Sequence, residues 1–126
     1  MWQGIDKRRF PRANYPCEII IMKKAAADKI STHTENIGAG GVCVILRQEL
    51  DRFSDVGLIL ILSDKQPPID CAARVVWTVK RSEPAGEVQN QVDTGIEFVN
   101  LKEKDKLRIE KVVRKCLREQ NSRAET

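Results

Sequence analysis

Asn36-Ile37-Gly38-Ala39-Gly40-Gly41 decides how this chain is read. It lies between two β-patterned runs, Lys29 to Glu35 and Val42 to Leu46. Glycine weakens a strand interior, so three glycines within four residues serve turn geometry: positive φ or close backbone approach. No helix pattern follows, which excludes a dinucleotide-binding βαβ unit. No Gly-Lys-Ser/Thr follows either, which excludes a Walker loop. The turn therefore joins strand to strand. Its successive N–H groups can form an anion-binding nest, and the Asn36 amide can meet a base edge or cap the turn locally.

Working outward, the strand signals multiply. Cys17, Ile19 and Ile21 alternate with Glu18, Ile20 and Met22, a strand pattern rich in β-branched residues. Ala25-Ala26-Ala27-Asp28 reads as a hairpin connection or a short helical turn. Val42 to Leu46 and Val56 to Leu62 are apolar runs of buried strands, with polar Gln48 to Asp55 between them. A turn with two prolines, Ser63 to Pro68, leads to Ile69–Lys80. There Ile69, Cys71, Ala73, Val75, Trp77 and Val79 are predicted on one buried face. Glu83 to Gln91 is a polar loop. Val92 to Val99 is the last strand, with Gly95 a bulge or a point of close approach. Asn100 is expected to cap a helix, with Glu103 at the capping-box offset. Ile109, Val112, Val113, Cys116 and Leu117 form its apolar stripe.

Six strands followed by one helix predict a mainly β fold. The expected architecture is a six-stranded antiparallel barrel whose C-terminal helix covers one opening or edge. With 126 residues the chain is expected to be a single domain. Its expected parts are a flexible N-terminal loop over 1–15, a barrel over 16–99, a helix over 100–120 and a tail over 121–126.

Charge is unevenly placed. The net charge is +4, but residues 1–15 hold +3 and residues 101–118 hold +5, so the central β region is slightly acidic. A nucleic-acid groove would spread basic residues and aromatics through the sheet, and the six aromatics are scattered. The basic helix face suits a solvated surface, with membrane or nucleic-acid contact as alternatives. Cys17, Cys43, Cys71 and Cys116 lack CxxC spacing and are read as four buried, reduced thiols; His33 has no metal partners nearby. No apolar run of about 20 residues and no signal-peptide core is present, so the expected location is the cytoplasm, with no membrane insertion. No nucleophile–base pair or paired carboxylates stand out, and the chain is read as a non-enzyme.

The N-terminal positive charge is Arg8-Arg9-Phe10-Pro11-Arg12. Pro11 fixes its own φ and keeps Phe10 out of the helical region, so the segment is extended or turned. Arg8 and Arg12 then project to one side and Arg9 to the other. Guanidinium forks bond phosphate, bond the O6/N7 edge of guanine and stack on bases. Beside the glycine turn, they suit a small, doubly anionic ligand bearing guanine.

In this order the parts resemble a PilZ domain, the bacterial receptor module for cyclic di-GMP, over about residues 7–118. The family's RxxxR motif is matched by Arg8 and Arg12, with Arg9 giving the double-arginine form. Its D/N-x-S-x-x-G motif is matched by Asn36 and Gly41, with Gly38 where serine is expected. The strand order, Gly95-Ile96-Glu97-Phe98 and the terminal helix also fit. The resemblance implies binding without chemistry and without a cofactor. Arg8, Arg9 and Arg12 would hold phosphate and guanine, and Asn36 a guanine edge. Gly38, Gly40 and Gly41 would allow close approach of backbone and ligand. Lys7, just before the motif, would influence whether one ligand or a stacked pair binds. The expected output is ordering of the N-terminal loop, read by an unidentified downstream protein, with no DNA or RNA partner. A PilZ-like module that has lost its ligand, acting in motility or pilus assembly, is the alternative implied by Gly38.

Overall fold

The structure is a computed structural model, and it describes residues 12–23, 28–81 and 91–124. Among the described residues, seven strands and one helix follow in order: β1 (Arg12–Ala13), β2 (Glu18–Lys23), β3 (Lys29–Gly38), β4 (Gly41–Leu46), β5 (Asp55–Ile61), β6 (Ile69–Lys80), β7 (Val92–Val99) and α1 (Glu103–Ala124). All strand pairings are antiparallel. The order β3-β2-β5-β6-β7-β4 closes on itself because β3 also pairs with β4. The six predicted strands thus form the predicted barrel, and closure removes the edges that an open sheet would expose.

Two long strands make the closure possible. The first half of β3 pairs with β2 and its second half with β4, and a bulge between Thr34 and Asn36 bends it where the partner changes. β6 likewise serves β5 and β7, with a bulge between Val75 and Trp77. Inward-facing Ile19, Ile21, Ile37, Val42, Val44, Leu58, Leu60, Val75 and Ile96 are fully buried and fill the interior. Ile109 and Val113 of α1 join the same core, with Val112, Cys116 and Leu117 packed at its margin, so the predicted stripe is the docked face. Glu103 and Asp105 occupy the first helical turn, where acidic side chains oppose the helix dipole favourably.

Several expectations are corrected. The alternation of Ile69 to Val79 does not keep one face, because the bulge after Val75 shifts the parity. Trp77 and Val79 turn to the outside, and Val79 is exposed. Asn100 is not the helix cap. It ends β7 in the left-handed region at φ 58°, which asparagine tolerates. The helix begins at Glu103, and the Lys102 carbonyl accepts from the N–H groups of Asp105 and Lys106. It runs to Ala124, beyond the expected 120. Of the four cysteines only Cys17 is buried; Cys43, Cys71 and Cys116 are half-buried, and none of the four is in a disulfide. Burial pushes the Cys17 thiol up, and burial with the Asp70 and Asp105 carboxylates pushes Cys71 up to about 11. Neither is a reactive thiolate at neutral pH. The expected turn at 25–28 lies mostly, and the expected loop at 83–91 almost wholly, outside the described residues.

β1 is the strand that the sequence reading did not contain. Arg12 pairs with Gly38 and Ala13 with Ile37, which extends the sheet by one outer strand. Ala13 is buried with Ile37. The chain is then pinned by Thr34, a buried hydroxyl that accepts from the Cys17 N–H (3.0 Å) and donates to the Tyr15 carbonyl (2.6 Å). Residues 12–17 are thereby fixed along β3, beside the segment that carries Asn36.

Candidate ligand site on the outer face of the barrel

The inner row Ile37–Val42–Ile96–Val75 runs across β3, β4, β7 and β6, and all four side chains are buried. Strand side chains alternate between faces, so the rows on either side of it point outward. One of these is Asn36–Cys43–Gly95–Trp77. The other is Arg12–Gly38–Gly41–Glu97–Arg74, reaching from β1 to β6. The two rows form one surface patch.

Arg12 and Asn36 meet there. The Arg12 guanidinium donates to Asn36 Oδ1 at 3.2 Å, across 24 residues of sequence. Arg12 sits opposite Gly38, so this is a diagonal contact between neighbouring strands, within reach of a long side chain. It orients the amide: with Oδ1 accepting from Arg12, the amide N–H₂ is left to donate.

Glycine is needed at two points of this patch, for different reasons. A Cβ on Gly41 would fall on the Ile96 carbonyl oxygen of β7 and lie 3.1 Å from the Glu97 Cα, so Gly41 permits a close backbone approach within the barrel itself. A Cβ on Gly95 would fall on the Trp77 indole, which therefore packs over the bare Gly95 backbone. The half-buried indole sits about two strand spacings, roughly 10 Å, from the Asn36 strand. A guanidinium, an oriented amide and an aromatic face can together hold a planar, anionic ligand.

Arg12, Asn36, Gly38 and Gly41 come together on the patch. Gly40, with Ala39, forms the tip of the β3–β4 hairpin, and its carbonyl accepts from the Phe98 N–H at 3.0 Å. Lys7, Arg8 and Arg9 lie outside the described residues. The turn is shorter than the sequence suggested: Asn36, Ile37 and Gly38 are still in β3 and Gly41 is already in β4. Their backbones run in the strand ladders instead of forming an open nest, because β1 and β4 flank them. Trp77 is the residue that the sequence reading missed as a surface group. The sequence carries one signal for it, a glycine inside the neighbouring strand, which marks close approach by another group.

Among the described residues no group of His, Cys, Asp and Glu could hold a metal ion, and no helix is long and apolar enough to cross a membrane.

The family model for the PilZ domain matches residues 6–115. The Bacillus subtilis inhibitor of motility MotI/DgrA is similar at 20% identity and a TM-score of 0.70, over 91% of this chain and 52% of that one. The chain thus spans about half the length of that relative. The PilZ domain of Escherichia coli YcgR, solved with c-di-GMP, is similar at 15% identity and a TM-score of 0.72, over 95% of this chain and 98% of that one. The K. pneumonia MrkH–c-di-GMP complex matches at 15% identity and a TM-score of 0.72, over 92% of this chain and 55% of that one. No curated protein sequence matches significantly. A family match over most of the chain, on a closed six-stranded barrel with an outer strand and a terminal helix, leads to one assignment: this chain belongs to the PilZ domain family.

Proposed function

We propose that this chain is a cyclic di-GMP receptor module that binds its ligand on the outer patch between β1, β3, β4, β7 and β6. PilZ domains are ligand-binding modules and not an enzyme family. The observation that carries the reading is the Arg12–Asn36 hydrogen bond, which joins the two family motifs in one site. Arg8, Arg9 and Arg12 answer the two phosphates and stack on or hydrogen-bond guanine. Asn36 donates its oriented N–H₂ group to a guanine edge. Trp77, lying over Gly95, offers its indole face to a base. Gly38 and Gly40 keep the hairpin free of side-chain bulk, and Lys7 adds charge that favours a second pair of phosphates. Two relatives of this fold were solved with c-di-GMP, which supports the ligand's identity.

On binding, the arginine segment closes over the ligand, and a partner protein reads the new surface. MotI/DgrA is described as an inhibitor of motility, which supports motility as the process. Four cysteines outside any disulfide fit a reducing compartment, and the proposed location is the cytoplasm.

Calorimetry of the purified chain with cyclic di-GMP, using GTP as control, tests the reading. Micromolar or tighter binding with no GTP heat is the expected result; no heat and no thermal shift at high ligand concentration would refute it. Gly38 replaces the family's serine, so Gly38→Ser should restore one hydrogen bond and tighten binding by about two- to ten-fold. A ligand-free interaction module, the reading that Gly38 favours, predicts no binding by either protein.

A further inference from the structure

A second concave surface lies away from the outer patch. It is a cleft of about 490 Å³ between α1 and the 63–66 turn that follows β5. The Tyr15 ring, Val112 and Cys116 give it an apolar lining, and Lys111 and Lys115 bring positive charge. Those lysines are one helical turn apart, about 6 Å along α1, and neither makes an ion pair among the described residues. Arg108, also in the cleft, is already committed. It donates to both carboxylate oxygens of Asp64, each at 3.0 Å, and holds that carboxyl below its ordinary range. Glu119, one turn beyond Lys115, bounds the positive stretch at the far end. With Arg108 and Asp64 paired to each other, the charge available in the cleft is two lysines, bounded by Glu119 and beside an apolar lining.

Residues immediately after Arg12 hold both walls of this cleft. The Asn14 carbonyl accepts from Gln120 Nε2 (3.3 Å) and from the Cys116 thiol (3.7 Å), both on α1. The Tyr15 hydroxyl accepts from the Ser63 N–H (2.8 Å) on the opposite wall. Arg12, Asn14 and Tyr15 are thus one short, pinned path from the outer patch to α1 and to the 63–66 turn.

We infer that this cleft is the output surface of the module: it takes an acidic, amphipathic segment of a partner protein, and residues 12–15 link its shape to what Arg12 binds. An apolar side chain of the partner packs on Tyr15 and Val112, and its carboxylates meet Lys111 and Lys115. Two lysines about 6 Å apart answer the few carboxylates of a short segment and are too short a positive stretch for a long polyanion such as nucleic acid, and a concave surface does not suit a flat bilayer. The linkage, but not the docking, rests on the receptor reading above.

The test uses the full chain and a fluorescein-labelled peptide of repeated Glu-Glu-Leu triplets, with its Lys-Lys-Leu counterpart as control. Anisotropy is read with and without cyclic di-GMP, and calorimetry follows cyclic di-GMP on the same samples. The Glu peptide should bind and the Lys peptide should not. Lys111→Glu/Lys115→Glu should weaken Glu-peptide binding by about ten-fold and leave cyclic di-GMP binding unchanged. Lys102→Glu/Lys104→Glu, the same charge change at the start of the helix, should keep most of the peptide binding. No Glu-peptide binding, or equal loss in both double variants, overturns the docking site. A dimer of the wild type that Lys111→Glu/Lys115→Glu dissociates would put a second copy in the cleft and also overturn it. If cyclic di-GMP binds but leaves peptide affinity unchanged, the linkage through residues 12–15 is refuted. If cyclic di-GMP fails to bind, the receptor reading and the linkage fall together, and the docking stands or falls on the two double variants alone.

Discussion

Arg12→Ala should weaken cyclic di-GMP binding by at least about thirty-fold and leave the barrel folded. The guanidinium is a partly buried cation in the outer patch, and truncating one partner of such a charge pair costs about 2–5 kcal/mol, roughly thirty- to several-thousand-fold in affinity. The loss is compounded through Asn36, whose amide orientation depends on the 3.2 Å bond from Arg12. Stability should change little. β1 pairs with β3 through its backbone, Ala13 stays buried with Ile37, and Thr34 still ties Cys17 and Tyr15 to β3. Arg12→Lys should fall between, because lysine keeps the charge but lacks the planar fork. Calorimetry and a thermal melt on the same samples separate the two effects. Equal affinity of Arg12→Ala and wild type would remove Arg12 from the site.

Gly41→Ala should act on the fold. Its Cβ would meet two backbone groups of β7, the Ile96 carbonyl oxygen and the Glu97 Cα, and no side chain can rotate away to admit it. The β4–β7 ladder must part at Gly41–Glu97, where the outward row crosses the barrel. Overpacking costs about 1–3 kcal/mol and can exceed that where backbone must move, so urea unfolding should show a clearly lowered midpoint. The comparison with Gly95 is instructive, because the obstacle there is the Trp77 ring, which can swing aside. A Gly41→Ala protein with wild-type stability would contradict the close packing of β4 on β7. Such a result would return Gly41 to the ligand-contact role that the family resemblance implied.

The sequence carried the barrel because its strands obey simple rules. Apolar runs at Val42–Leu46 and Val56–Leu62 and the alternation around Ile19 and Ile21 correspond to β4, β5 and β2 within a residue or so. The helical stripe from Ile109 to Leu117 is the face that docks. What escaped has physical causes. β1 is two residues long, too short for any periodicity, and exists only through its pairing with β3. The alternation from Ile69 to Val79 continues in the sequence straight through the bulge, so nothing in the letters reveals that Trp77 changes face. Asn36 to Gly38 are glycine-bearing and look like a turn, yet they remain extended because strands lie on both sides of them. The meeting of Arg12 with Asn36 has no local signature at all. It followed only from the family's two motifs, and it depends on β1 joining β3.

The most direct test of the proposed site is a two-dimensional ¹⁵N–¹H NMR titration of the chain with cyclic di-GMP. The account predicts that the largest shifts fall on the amides of Arg12, Asn36, Gly38 and Gly41 and on the Trp77 indole N–H, all on the outer patch. Unmoved resonances throughout, or shifts confined to α1 and the 63–66 turn with the outer patch silent, would contradict it.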